Sequence, residues 1–378
     1  MTFLPARVHE LHPGPMKGLD VSARGIATGG SDGVVRLLAG NGEHIGSSDS
    51  HSDLVNAVAL DATGRVVSGS RDRTLRVFDP SLPRSYVVGE HEKWVMSVSW
   101  SDDGSRIVSG SEDGTIAIWD PDGAEVRRFD LGHPTNAVDW RGDVIAAANG
   151  NRILYLLNGD GAMRRELPGA EQMLWSTALS PDARLVAWTG RDRYLRIAPV
   201  DGGDALVVPA HRDQVWSVAW DESGDRLVTG SADGTAAVWS PRGEALERIT
   251  TPSWVRRAMF RGEELYLATE TGDLRIYSDD RIDTATPDPV TVPTAPDGCS
   301  HWDPQVEKTP LQRCQECESV EELRLCVTCG HVGCCESQLA HGTKHWLESR
   351  HPNTVPVAPG PYRWRWCYAD DMYVKRTE

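Results

Sequence analysis

The chain has 378 residues, 39% apolar and 25% charged, and its 55 acidic residues outnumber 39 basic ones. Such a length leaves room for two or three domains, and such a balance excludes disorder throughout. A formal charge of −16, with no basic cluster to offset it, argues against nucleic acid as a partner. The opening residues MTFLPARVHELH lack the pattern of a secretory signal, and no apolar run is long enough to span a bilayer. A cytoplasmic protein with no membrane partner is therefore expected. Arginine far outnumbers lysine, which suggests a GC-rich genome and, as an expectation, a bacterial source.

Residues 1–280 contain no cysteine and repeat themselves with a period of about 40 residues, the range of propeller blades. The sharpest copies are SRDRTLRVFD, SEDGTIAIWD and SADGTAAVWS. Aligned on the turn position, the copies place Asp32, Asp72, Asp113, Asn151, Asp192, Asp233 and Thr271 in register. Six places later stand Leu38, Phe78, Trp119, Leu157, Ala198, Trp239 and Tyr277. Within each unit, short alternating apolar runs such as VMSVSW and RIVSG are separated by Gly, Asp and Ser turns. That is the pattern of short antiparallel strands, so seven four-stranded units are predicted. A strand at residues 6–11 precedes the first unit and resembles the outer strands that precede later ones. It is expected to complete the last unit and close the ring, which removes exposed edges.

These residues resemble WD-repeat β-propellers. The third unit carries the family's landmarks at His91, Asp113, Trp119 and Asp120, and the sixth carries His211, Asp233 and Trp239. The resemblance implies that each His, Asp and Trp joins a Ser or Thr in a buried hydrogen-bond chain: Ser109 or Ser111 in unit three, Thr229 or Ser231 in unit six. Those histidines would be structural. Units four, five and seven depart from the pattern, with Asn151, Glu171 near the histidine place, and Thr271, and are expected to be the most mobile blades.

The second place of each unit's first strand varies among Lys17, Asn56, Met96, Asn136, Trp175, Trp216 and Arg256, while its neighbours stay mostly apolar or small. A buried site would not accept Trp, Asn, Lys and Arg alike, so this place should face solvent on one rim. With Trp94, Met173 and Trp254 two residues earlier, it forms a candidate protein-binding patch of Trp94, Met96, Met173, Trp175, Trp216, Trp254 and Arg256. The alternative is that the tryptophans only pack between blades.

Residues 281–298 are rich in proline and lack apolar periodicity, as a semi-extended tether does. Beyond them lie all eight cysteines, from Cys299 to Cys367. Two CxxC pairs, Cys314 with Cys317 and Cys326 with Cys329, precede Cys334, His341, His345 and His351. Zinc is the default metal for this spacing, and a segment this small needs such staples.

Residues 299–378 resemble the ubiquitin-protease-type (UBP-type) zinc finger, through CSHW, CQEC, LCVTCGHVGCC, HGTKHWLESRHP and WCYADD. The resemblance implies up to three structural zinc ions. One would be held by Cys314, Cys317, Cys334 and His341, and a second by Cys326, Cys329, His345 and His351. The third set would be Cys299, His301, Cys367 and Asp370, the last where relatives often carry cysteine. Four protein ligands leave no place for a water nucleophile. In eukaryotic relatives the finger captures the free C-terminal Gly-Gly of ubiquitin between aromatic walls and an arginine. Trp366, Tyr368 and Tyr373 match the walls, but Glu336 occupies the arginine place and Arg324 replaces a pocket tryptophan. A Cys335–His331 nucleophile finds no orienting group.

The sequence thus predicts a mainly β chain: a seven-bladed WD-repeat propeller over 1–280, a linker over 281–298, and a small α+β zinc-binding domain over 299–378. The expected function is a non-enzymatic adaptor for a protein or peptide, such as a ubiquitin-like C-terminal tail. Its rivals are a propeller-only binder with a purely structural finger, and a deubiquitinase-like hydrolase, for which no catalytic domain is left over.

Overall fold

In a computed structural model of the chain, the described residues are 7–48, 51–82 and 84–278, together with the backbone of five C-terminal strands. Two compact units divide the chain, Met1–Pro287 and Asp288–Glu378.

The first unit is a seven-bladed propeller of four-stranded antiparallel sheets. Blade 1 consists of Met16–Ser22, Gly25–Gly30, Val35–Leu38 and His44–Ser47; blade 2 of Val55–Leu60, Val66–Ser70, Thr74–Phe78 and Tyr86–Glu90. Blade 3 follows with Val95–Trp100, Ile107–Ser111, Thr115–Trp119 and Glu125–Asp130, and blade 4 with Thr135–Arg141, Val144–Asn149, Leu154–Asn158 and Met163–Leu167. Blade 5 is built by Leu174–Leu179, Leu185–Gly190, Tyr194–Pro199 and Leu206–Pro209; blade 6 by Val215–Trp220, Leu227–Ser231, Thr235–Trp239 and Ala245–Thr250. Blade 7 takes Val255–Arg261, Glu264–Thr269 and Asp273–Ser278 from the end of the unit. Its outer strand, Arg7–Glu10, comes from the beginning, in register from Arg7 opposite Ile276 to Glu10 opposite Asp273. Both ends of the propeller are thereby locked into one sheet. Blades 4, 5 and 7, whose units depart from the repeat pattern, are all complete four-stranded sheets.

Apolar side chains do not gather in one central core. Seven clusters each join two neighbouring blades; one packs Val66 and Phe78 of blade 2 against Leu37 of blade 1, another packs Tyr266 and Ile276 of blade 7 against Met16 and Ile26 of blade 1. Each blade therefore needs both neighbours to bury its two faces, and closing the ring supplies the last pair.

The turn between the second and third strands repeats a left-handed residue just after the aligned Asp, Asn or Thr. Blades 1, 3, 6 and 7 use Gly33, Gly114, Gly234 and Gly272, whereas blades 2, 4 and 5 hold Arg73, Arg152 and Arg193 at φ 74°, 74° and 73°. Glycine enters that region freely and arginine only at a cost, so in three blades the surrounding fold imposes the turn.

In the second unit the five strands are Leu323–Cys326, Val332–Cys334, Asn353–Pro356, Trp364–Cys367 and Met372–Lys375. They form one sheet in the order Val332–Cys334, Leu323–Cys326, Asn353–Pro356, Trp364–Cys367, Met372–Lys375. The helical part of the expected α+β fold lies outside the described residues.

Candidate functional site

Every inner strand carries a β-bulge in the same place. The ladder slips between Met16 and Gly18, Val55 and Ala57, Val95 and Ser97, and Thr135 and Ala137. It slips again between Leu174 and Ser176, Val215 and Ser217, and Val255 and Arg257. The skipped residues are Lys17, Asn56, Met96, Asn136, Trp175, Trp216 and Arg256, the variable second place of the sequence alignment. A bulge leaves one residue out of the pairing and re-aims its side chain, which is why this place tolerates any residue type.

The seven bulges form a ring, because the seven inner strands neighbour one another in a closed circle. Two contrasting halves make up this ring. In blades 2 and 4, on either side of half-buried Met96, the side chains are tied inward: buried Asn56 donates to Val95 O at 3.0 Å and buried Asn136 donates to Leu174 O at 2.7 Å. Through blades 5, 6, 7 and 1 it is aromatic and cationic. The rings of Trp175 and Trp216 lie 5.1 Å apart, and Trp175 Nε1 donates to Gln214 Oε1 at 3.1 Å. The Arg256 guanidinium sits 4.3 Å from the Trp216 ring and 5.3 Å from the Trp254 ring, and pairs with Glu270. Where blade 2 adjoins this half, Arg71 lies 4.4 Å from the ring of Trp94, which is 38% exposed. Burial, then the charges of Arg256 and Arg71, push the Lys17 ammonium down to about 7 against the pull of Glu270.

Met96, Met173, Trp175, Trp216, Trp254 and Arg256 are half-buried. The expectation that this place faces solvent on one rim is corrected in part: Trp94 is exposed, the other rim residues are half-buried, and Asn56 and Asn136 are buried. Packing between blades and exposure to solvent prove compatible in the same side chain.

Below the ring, all seven inner strands enclose a cavity of about 530 Å3, lined among others by Asp20, Ser97, Asp139, Ser217 and Arg257. Two of its carboxylates tie adjacent blades together. Asp20 accepts from Leu60 N at 2.6 Å, and Asp139 accepts from Leu179 N at 2.8 Å. Both occupy the fifth place of the inner strand, read from sequence as apolar or small; their bridging role has no local sequence signal.

The structural histidines are resolved in detail. In blade 3, Trp119 Nε1 donates to Ser109 Oγ at 2.8 Å, Ser109 Oγ lies 2.8 Å from His91 Nε2, and His91 Nδ1 lies 3.1 Å from Asp113 Oδ2. Thr229, His211 and Asp233 repeat this in blade 6 beneath Trp239, with 2.9 Å from Trp239 Nε1 to Thr229 Oγ1. Ser111 and Ser231 instead accept from the turn residues Asp113 N and Asp233 N, which settles the choice of partner. Burial lowers the pKa of His91 and His211 and so favours the neutral ring, with Nδ1 facing the carboxylate and an arginine, and Nε2 facing the hydroxyl. Asp113 is raised by burial but held down to about 2 by the stronger combined effect of Thr115, His91 and the Glu92 N–H.

Shorter versions occur where sequence reading missed them. His12 bridges Asp32 and Thr28, and His51 bridges Asp72 and Ser68, without a tryptophan to complete the chain. The signal was the His-to-Asp spacing, 20 and 21 residues against 22 in blades 3 and 6. In blade 5 a buried ion pair, Arg196 with Asp192 at 2.6 Å, replaces the histidine.

In the second unit, Cys326, Cys334, Cys367, Arg324, Trp366 and Tyr373 fall on the described strands. Backbone register sets Cys326 opposite Thr354, Thr354 opposite Trp366, and Trp366 opposite Tyr373; Leu323 faces Cys334 and Asn353 faces Cys367. One strand cysteine thus comes from each expected zinc set. Cys299, His301, Cys314, Cys317, Cys329, His341, His345, His351 and Asp370 lie outside the described residues, as do Glu336 and Tyr368. A donor set of Cys and His in two CxxC pairs suits zinc chemically.

Comparison with known proteins agrees with both units. Residues 314–378 match the family described as "Zn-finger in ubiquitin-hydrolases and other protein", and residues 42–79, 83–120 and 204–240 match "WD domain, G-beta repeat". The chain is 36% identical over 63 residues to the Arabidopsis thaliana protein "BRAP2 RING ZnF UBP domain-containing protein 2", 17% of this chain and 12% of that one. It is 36% identical over 70 residues to human "BRCA1-associated protein", 18% of this chain and 11% of that one. Over 67 residues it is 30% identical to "NAD-dependent deacetylase sir2A" of Dictyostelium discoideum, 18% of this chain and 12% of that one. The chain spans about an eighth of the length of these relatives. They are eukaryotic and give no support to a bacterial source. The chain carries WD40 repeats, folded as a seven-bladed propeller, and a C-terminal UBP-type zinc finger, a zinc-binding type of domain.

Proposed function

We propose that the chain is a non-enzymatic protein-interaction adaptor, acting in the cytoplasm, with a propeller platform over 1–280 tethered by 281–298 to a zinc-stabilised peptide-recognition domain over 299–378. The observation that carries this reading is the ring of bulges. Seven strands spare one residue each from sheet pairing, and four blades fill that place with half-buried Trp, Arg and Lys. Tryptophan and arginine are the residue types that anchor protein partners, and half-buried rings can contribute without melting the fold. Both domain types serve protein interaction, which supports a protein or peptide ligand.

In the finger, three structural zinc ions on the sets named above would supply the folding energy of a small domain. Trp366, Tyr368 and Tyr373 would wall a pocket for a protein's C-terminal tail. Glu336 would repel a tail carboxylate unless Arg324 clamps it, so a ubiquitin-like tail is the candidate and its anchor the open point.

The test is quantitative capture of proteins from a eukaryotic lysate by the full chain, by Trp216→Ala and Trp175→Ala, and by a finger-deleted form. Partners held by the ring should be depleted in both tryptophan variants while their melting stays close to that of the unaltered chain. Equal capture by all forms would sink the adaptor reading of the propeller. Elemental analysis should find three zinc ions per chain, and two would single out the Asp370 set as the failure.

A further inference from the structure

The cationic half of the ring is short of negative charge. Lys17, Arg71, Arg256 and Arg257 converge there with Glu270 opposing them, and Glu270 already pairs with Arg256. Arg257 Nε donates to Lys17 O at 3.2 Å, joining blade 7 to blade 1. Neither Lys17 nor Arg71 has an ion pair among the described residues. Two buried donors beside these cations also lack partners: Arg71 Nε of blade 2, which adjoins Lys17, and Trp216 Nε1 under Arg256. A buried, unpaired N–H costs free energy that an added acceptor returns. In the other half the Asn56 and Asn136 amides are already bonded to backbone carbonyls.

We propose that this half of the ring is a receptor for an acidic peptide segment, with carboxylates seated among Lys17, Arg71 and Arg256 and a flanking apolar side chain on the Trp175–Trp216 pair. The inference rests on the reading of the ring as a partner face and names that partner's chemistry. Charge complementarity selects it: convergent cations of a partly dehydrated site attract carboxylates, and the paired indoles supply an apolar wall that a small free anion could not use. The depressed Lys17 is consistent with a cation waiting for its counter-charge. An occupying carboxylate would raise its pKa, so affinity should weaken as pH climbs above 7, with Arg71, Arg256, Arg257 and Glu270 the charged groups around it.

The test uses the full chain and fluorescence anisotropy with labelled oligo-glutamate peptide carrying a central leucine. Glutamine and lysine versions of that peptide, a phosphoserine version, and inorganic phosphate serve as competitors. The glutamate peptide should bind with an affinity that falls as salt is added, and Lys17→Met or Arg71→Gln should weaken it about tenfold or more. Lys17→Met should also raise the melting temperature of the unliganded chain, because it removes one of several mutually repelling cations. Equal binding of the glutamine version, unchanged binding in both variants, or a lowered melting temperature in Lys17→Met would overturn the proposal. Tighter competition by phosphoserine peptide or by phosphate would overturn the assignment to carboxylate. Should the glutamate peptide fail while Trp216→Ala still loses captured partners, the acidic-ligand inference falls and the adaptor reading stands.

Discussion

Trp119 and Trp216 belong to the same ring of blades, yet their surroundings differ. Trp119 is buried, its indole N–H satisfied by Ser109, and the chain continues through His91 to Asp113. Trp216 is half-buried, in tilted contact with Trp175 and covered by Arg256, with its N–H unpartnered. One tryptophan closes a polar network within a blade, and the other sits on a bulge that the sheet has released from pairing. The difference shows that in this repeat fold a side chain inside a blade is held by a network of its own blade, whereas a bulge side chain is held by whatever the next blade offers.

The sharpest way to break this comparison is to truncate each ring in turn. Trp119→Ala should cost about 3–5 kcal/mol, since it opens a cavity and takes from Ser109 Oγ the indole N–H that donates to it. In Trp216→Ala the loss should stay below about 1 kcal/mol. Calorimetric melting of both variants checks this, and equal losses would show that the bulge tryptophan is core.

Acid should act on the first kind of site only. Burial lowers the pKa of His12, His91 and His211, so these groups stay neutral in the folded chain while the unfolded chain takes up protons below about pH 6.5. Their contribution is fully present above that pH and is lost as pH falls toward the folded values, by up to about 4 kcal/mol per pH unit for the three together. The carboxylates of Asp72, Asp113 and Asp233, held below the usual range, add a second loss of stability below about pH 4. Melting temperature should therefore drop steadily from pH 7 to 5, and His91→Gln should flatten that slope.

A finer distinction lies between two serines two residues apart. Ser109→Ala strands both the Trp119 N–H and His91 Nε2, at about 1–3 kcal/mol, whereas Ser111→Ala removes bonds to Trp94 O and Asp113 N worth about 0.5–1.5 kcal/mol. Denaturant titration of the two variants resolves the order; a larger loss at Ser111 would reverse the assignment.

Much of the candidate site was legible because it is a place in a repeat. Aligning VMSVSW with VWSVAW and TNAVDW exposed a variable column, and that column is the ring of bulges. What the alignment could not reveal was that Asn56 and Asn136 turn inward while Trp175 and Trp216 meet across a blade boundary, since each partner lies some forty residues away along the chain. His12 and His51 carried a readable signal in their spacing to Asp32 and Asp72, hidden only by the absence of a tryptophan at Leu38 and Phe78.

By itself, the sequence determined the number of blades, the strand that closes them, and the cysteine and histidine pattern that calls for zinc. Those features depend on local periodicity, turn chemistry and ligand spacing, all of which repeat or cluster along the chain. Only the tertiary structure decided that the rim splits into an amide half and a cationic, aromatic half, that Asp20 and Asp139 bridge neighbouring blades, and that Arg73, Arg152 and Arg193 adopt a glycine-like turn. The reason is physical: charge convergence, stacking and imposed backbone strain arise between blades, where residues far apart in sequence meet only once the ring is closed.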